Sequence, residues 1–126
     1  ISQKAAVAAL REGESFTQTM LKEFDRRRRT MVERLNVMPG VTCRIPTGAF
    51  YAFPNISGLF GRTPTTGKVQ TATDVATYLL QEAKVALVPG EPFGSASHIR
   101  LSYATSMDTI IRGMDRMETA LAKLTA

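Results

Sequence analysis

The chain has 126 residues, with 16 Lys and Arg against 11 Asp and Glu, a net charge of +5 and 44% hydrophobic residues. That size and composition suit one globular domain able to bury its own core, and they exclude a disordered chain. No apolar run approaches the roughly 18 residues a membrane helix needs, and no charged-then-apolar leader precedes the first element.

Residues 2–11 are Ala-rich and predict a short helix stopped at Gly13. Ser15 is placed to cap a longer second helix, over residues 15–38, whose apolar stripe is Phe16, Met20, Phe24, Met31 and Leu35. Pro39-Gly40 ends it. Two helices in a row ahead of the first strand leave surface to cover, which points to packing against something outside this chain. Within the second helix lies Arg26-Arg27-Arg28-Arg29. Successive helical residues point about 100° apart, so these four fan around the axis rather than forming one stripe. No aromatic platform or recognition helix accompanies them. They predict a solvated face, with some arginines reaching Glu23 or Glu33, and they do not predict nucleic-acid binding.

Residues 41–45 and 49–53 read as two strands joined by a hairpin at Pro46-Thr47-Gly48. Phe50 and Phe53 are both bulky, so the second strand is expected to be covered on both faces, with Phe50 and Tyr51 assigned to the core; Pro54 stops it. Residues 61–71, rich in Thr, Gly and Lys and containing Lys68, read as a mobile loop. A helix follows from Thr73, its expected N-cap, to Lys84, with Val75, Leu79 and Ala83 along one side. Residues 85–88 form a short apolar strand, then a Pro-Gly-rich loop, Val88-Pro89-Gly90-Glu91-Pro92-Phe93-Gly94. A last strand, Ile99-Arg100-Leu101-Ser102-Tyr103-Ala104, precedes a helix capped by Ser106, with Asp108 in its first turn and Ile110, Met114, Met117, Leu121 and Leu124 on its buried face. The sum is an α+β fold: helices packed on a small, mostly antiparallel sheet.

Few residues carry chemistry. Cys43 is the single cysteine and His98 the single histidine. One cysteine forms no internal disulfide, which fits a reducing cytosol. Cys43 reads as a packed thiol and His98 as a residue that caps the start of the last strand; neither has the partners of a metal site or a nucleophilic triad. No glycine loop of the common phosphate-cradling kinds is present. Arg100 stands out. Side chains alternate along a strand, so Ile99, Leu101 and Tyr103 share a core face while Arg100, Ser102 and Ala104 share the other. An arginine among apolar neighbours needs an anion, and its planar fork matches a carboxylate. Its residues alone leave open whether that carboxylate belongs to the protein or to a ligand.

Three segments together carry a resemblance. Pro46-Thr47-Gly48-Ala49-Phe50-Tyr51-Ala52-Phe53-Pro54, Val85-Ala86-Leu87-Val88-Pro89-Gly90 with Phe93-Gly94, and Ile99-Arg100-Leu101-Ser102-Tyr103-Ala104 resemble, in order and spacing, segments of class I aminotransferases of the aspartate aminotransferase type. Ile1-Ser2-Gln3 and the arginine-rich helix are similar to the same region of bacterial members, so the resemblance covers essentially the whole chain. It implies the C-terminal small domain of the aspartate aminotransferase fold (pyridoxal-phosphate fold type I) over residues 1–126, with 1–13 left over from the large domain and the long helix leading into the small one. It implies a pyridoxal 5′-phosphate enzyme moving an amino group from an amino acid to a 2-oxo acid, cytoplasmic and dimeric when whole. It implies that Arg100 holds the substrate α-carboxylate, with Phe93 shielding the site from water and Gly94 letting the backbone come close.

The family's Schiff-base lysine motif and cofactor ligands have no matching positions here, and Lys4, Lys22, Lys68, Lys84 and Lys123 sit outside any such motif. No catalytic, cofactor-binding or metal-binding residue is therefore assigned within the chain, and the segment alone is expected to be inactive. The first residue is Ile rather than Met, which points to a fragment or a processed product. The partners implied are amino-acid and 2-oxo-acid substrates, the large cofactor-binding domain and a second copy, with no nucleic acid and no membrane. Two other readings remain: a stand-alone small-molecule-binding or regulatory α+β module, and a basic nucleic-acid-interaction domain.

Overall fold

The computed structural model describes residues 1–64 and 68–124. Helices α1 (Ser2–Glu12) and α2 (Glu14–Asn36) lead into strand β1 (Tyr51–Ala52). Then come a 3₁₀ turn at Ser57–Leu59, helix α3 (Ala72–Tyr78) running into a π-helical turn (Leu79–Ala83), strand β2 (Val88–Pro89), a 3₁₀ turn at Glu91–Phe93, strand β3 (Ile99–Ser102) and helix α4 (Met107–Leu121). The α+β class is as expected. The sheet has order β1-β3-β2 and is antiparallel throughout, with Tyr51 opposite Ser102, Ala52 opposite Leu101, and Val88 opposite Arg100.

Strand alternation builds the core. Ile99, Leu101, Tyr103 and Ala52 are buried, joined by Leu35 from α2, Val75 and Leu79 from α3 and its π turn, and Ile110, Met114, Met117 and Leu121 from α4. The predicted stripe of α4 is buried throughout, Leu124 beyond its end included. Its cap is as expected, the Ser106 hydroxyl accepting from the Thr109 N–H at 3.2 Å. Tyr78 donates to the Ala120 carbonyl at 2.7 Å and fixes α3 against α4. Arg34 reaches Asp115 at 2.6 Å and Glu118 at 2.9 Å, tying α2 to α4 at the surface; exposed pairs of this kind contribute about 0.2–1 kcal/mol each.

Several boundaries differ from expectation, each for a local reason. Helix α1 does end at Gly13 as expected, though the glycine does not take a left-handed conformation. It stays right-handed, its N–H bonded to the Ala9 carbonyl and its own carbonyl accepting from Thr17, so α1 and α2 nearly continue one another. The N-cap of α2 is Gly13 rather than Ser15, and it makes no side-chain cap bond. The hairpin over residues 41–53 does not form. Thr42 pairs instead with Asn55, in both directions at 2.9 and 2.7 Å, and the next backbone partner is a side chain: the Asn36 amide accepts from the Cys43 N–H and donates to its carbonyl. Arg28 holds the would-be turn through the Pro46 carbonyl at 2.6 Å, and Ala49 adopts a positive φ of 57°. Phe50 and Phe53 are 41% and 37% exposed, so that segment is not covered on both faces. Thr71, not Thr73, caps α3, in a reciprocal capping box with Asp74. The expected helix to Lys84 widens at its end into the π turn, Lys84 leaving it left-handed at φ 55°. Only Val88 of the expected 85–88 strand pairs with β3.

The arginine run is satisfied within its own helix. Arg26 and Arg27 reach Glu23, as expected, while Arg28 and Arg29 reach Asp25 rather than Glu33. The two guanidinium partners hold the Glu23 carboxyl at about 2. In the 61–71 loop, residues 65–67 lie outside the described residues; on either side of them Val69 is buried, its N–H bonded to the Arg62 carbonyl and its own carbonyl accepting from Gly61. Among the described residues, no helix is long and apolar enough to cross a membrane.

Cys43 is 7% exposed, and burial pushes its thiol up from the usual range. A raised thiol carries little thiolate near neutral pH, and thiolate is the reactive form. Modification by a disulfide reagent at pH 8 is therefore expected to lag behind a free cysteine, and to become fast only when denaturant opens the fold. Equal rates in both states would contradict the packed placement.

Candidate functional site

The open face of the sheet is built by the same alternation that builds the core. Directly opposed residues in an antiparallel pair share a face, and diagonal neighbours lie within reach of long side chains. Arg100 and Ser102 on β3, Tyr51 on β1 and Val88 on β2 therefore stand together on the side away from Leu101 and Ile99.

Arg100 is half-buried there. Its Cζ lies 4.4 Å from the centre of the Tyr51 ring and 4.3 Å from the centre of the Phe93 ring. Tyr51 comes from β1 and Phe93 from the turn that follows β2, the strands on the two sides of β3, and the guanidinium is in reach of both rings. Its side chain makes no hydrogen bond and no ion pair among the described residues. Among the described residues, the partners of Arg100 are thus two aromatic rings and no carboxylate.

The loop after β2 is shaped to deliver Phe93. Gly90 sits where a Cβ would collide with the carbonyl oxygens of Ser95 and His98, so only glycine lets the loop fold back on itself. The Gly90 carbonyl accepts from Phe93 at 2.8 Å and Ser95 at 3.1 Å. Gly94 has φ 78°, the left-handed region that favours glycine, yet a Cβ there would meet nothing within 4 Å of this chain. Phe93 is 46% exposed, and its ring meets that of Phe53 at 6.2 Å between centres. Phe53 in turn stacks on His98 at 4.9 Å. His98 Nδ1 lies 2.6 Å from the Ser95 hydroxyl and 3.1 Å from that of Ser97. The single histidine is thus built into the base of the loop, at the start of β3.

Of the site residues expected from the sequence, Arg100 and Phe93 come together, and Gly94 follows directly at the end of the turn. Tyr51 is the residue that the expectation missed, having been assigned to the core. Its signal was available: small Ala52 is the inward position of β1, fully buried, which turns Tyr51 outward.

The comparisons decide the family. The sequence profile of aminotransferase class I and II matches residues 1–117. This chain belongs to the class I and II aminotransferases. It is 42% identical over 125 residues to an aspartate aminotransferase of Rhizobium meliloti, covering 98% of this chain and 30% of the relative. It is 42% identical over 123 residues to an aspartate aminotransferase of Pyrococcus horikoshii, covering 94% of this chain and 29% of that relative. The crystal structure of the aspartate aminotransferase from Rhizobium meliloti superposes with a TM-score of 0.95 at 39% identity, over 98% of this chain and 31% of that one. The chain therefore spans about 30% of the length of these aminotransferases.

Members of this family depend on pyridoxal phosphate. The residues around Arg100 do not by themselves fit that cofactor. The guanidinium meets two aromatic rings and no lysine amine, and Lys84 is turned onto its own helix end, donating to the Gln81 carbonyl at 2.8 Å. What this aminotransferase segment offers is a cation with its fork open, on the rigid central strand of a sheet.

Proposed function

We propose that this chain is the C-terminal, carboxylate-binding part of a pyridoxal-phosphate-dependent aminotransferase of aspartate type, and that Arg100 holds the substrate α-carboxylate. On this reading residues 1–13 adjoin the large domain, α2 leads into the small one, and the whole enzyme works as a dimer. The observation that carries the reading is the Arg100 guanidinium, unpaired among the described residues and in reach of the Tyr51 and Phe93 rings, in a chain of this family.

The chemistry asks for arginine. Two parallel N–H···O bonds fix the plane of a carboxylate as well as its position. Fixing that plane fixes the direction of the Cα–H bond, whose proton must leave in the reaction. Pyridoxal phosphate, when bound, supplies the electron sink for the charge left at Cα. Phe93 and Gly94 border the same mouth, the ring keeping water from the fork and the left-handed glycine closing the turn that carries it.

The test is transamination of aspartate by the full-length polypeptide carrying this segment, with Arg100→Ala beside wild type; loss of rate is the expected result and an unchanged kcat/KM overturns the reading. The segment by itself is expected neither to retain pyridoxal phosphate nor to transaminate. Gel filtration of the 126-residue chain after incubation with the cofactor checks this: cofactor absorbance that travels with the protein contradicts the expectation.

A further inference from the structure

We propose that Tyr51 and Phe93 are positioning residues that fix the plane of the Arg100 guanidinium, so that the fork accepts a flat carboxylate edge-on and in a single orientation. The inference rests on the reading of Arg100 as the carboxylate ligand and adds the residues that aim it. A guanidinium carries all its N–H donors in its plane. The Tyr51 and Phe93 ring centres, 4.4 Å and 4.3 Å from Cζ, are at stacking distance, and rings laid on its two faces would leave the edge as the open side. A planar carboxylate entering along that edge can take both bonds of the fork at once.

Each ring is itself braced. Tyr51 packs on Phe50, ring centres 4.6 Å apart. Phe93 is met by Phe53, ring planes at 87°, and Phe53 lies nearly parallel to His98, at 17°. Ser95 and Ser97 anchor the His98 ring through Nδ1. The clamp therefore closes from β1 on one side and from a cross-braced loop on the other. The Tyr51 hydroxyl has no hydrogen-bond partner among the described residues, so the ring is the working part of that side chain. Without a ring on each face the arginine would keep its charge but gain rotamers, each aiming the carboxylate differently.

The experiment uses the full-length polypeptide carrying this segment, with aspartate as substrate and succinate, a dicarboxylate with no amino group, as a binding probe followed by calorimetry. Tyr51→Leu is expected to lower kcat by about tenfold, the scale of one desolvated cation–ring contact, while weakening succinate by much less, because the charge remains and only its aim is lost. Tyr51→Phe is expected to recover most of that loss. In an Arg100→Ala background Tyr51→Leu is expected to have little further effect, because the ring acts through the arginine. Phe93→Leu should repeat the pattern from the other side, and it carries the test if Tyr51→Leu fails to fold. A full effect of Arg100→Ala with no effect of either ring variant overturns this inference and leaves the carboxylate reading standing. No effect of Arg100→Ala overturns both. An equal loss for Tyr51→Leu with and without Arg100, or a Tyr51→Phe as damaged as Tyr51→Leu, also overturns it.

Discussion

Replacing Arg100 by alanine in the full-length polypeptide is expected to lower kcat/KM for aspartate by at least about a hundredfold. Truncating one partner of a desolvated, hydrogen-bonded charge pair costs roughly 2–5 kcal/mol, and each 1.4 kcal/mol is about tenfold. The upper part of that range applies because no described residue stands ready to substitute: the fork has no hydrogen-bonded neighbour among the described residues, and the groups it meets are the Tyr51 and Phe93 rings. Arg100→Lys is expected to lie between the two, since an ammonium restores charge without the fork. Initial rates across substrate concentration separate the effects. A lysine variant that recovers KM but not kcat would locate the arginine's contribution in orientation rather than attraction. Amine substrates without a carboxylate should respond little to either change, and an equal loss for them would point to a folding defect.

The second large effect concerns the core. Leu35→Ala is expected to destabilise the domain by about 2–5 kcal/mol, as fully buried leucines do when truncated, and to lower Tm by roughly 10 °C or more. Leu35 is fully buried where α2 meets α4, inside a cluster with Met31, Met114 and Met117. The contrast is Leu10 on α1, which is 89% exposed; in the same chain Leu10→Ala is expected to change stability by less than about 0.5 kcal/mol. Urea unfolding of both variants checks the pair. Similar shifts in the two would mean that α1 packs onto this domain.

What could be read in the sequence was whatever a local period controls. The β3 alternation predicts the buried set Ile99, Leu101 and Tyr103 and the outward Arg100, all of which hold. The α4 stripe and its Ser106 cap hold for the same reason, since helix period and capping are set within a few residues. The misread region, residues 41–53, is governed by distant partners. Residues 41–45 carry a strand-like composition, but Asn36 takes the pairing role at Cys43 and Arg28 holds Pro46, contacts that no window of five residues contains. Tyr51 was missed through the same segment, because bulky Phe50 and Phe53 led both faces of the strand to be counted as covered, which put Tyr51 in the core. The pairing of Tyr51 with Phe93 needs a neighbouring strand and a loop to converge on one arginine, which spacing alone does not specify.

The placement of α2 has a mechanical consequence. Its inner portion is seated by Phe24, whose ring meets Tyr103 at 6.3 Å and Phe50 at 6.4 Å, and farther along by buried Met31, Val32 and Leu35. From Phe24 outward to Glu14 the helix projects, at 1.5 Å per residue, for about 15 Å. It behaves as a boom with an aromatic bearing at its foot. A tilt of about 5° at that bearing would carry the outer tip by about 1 Å over that 15 Å span.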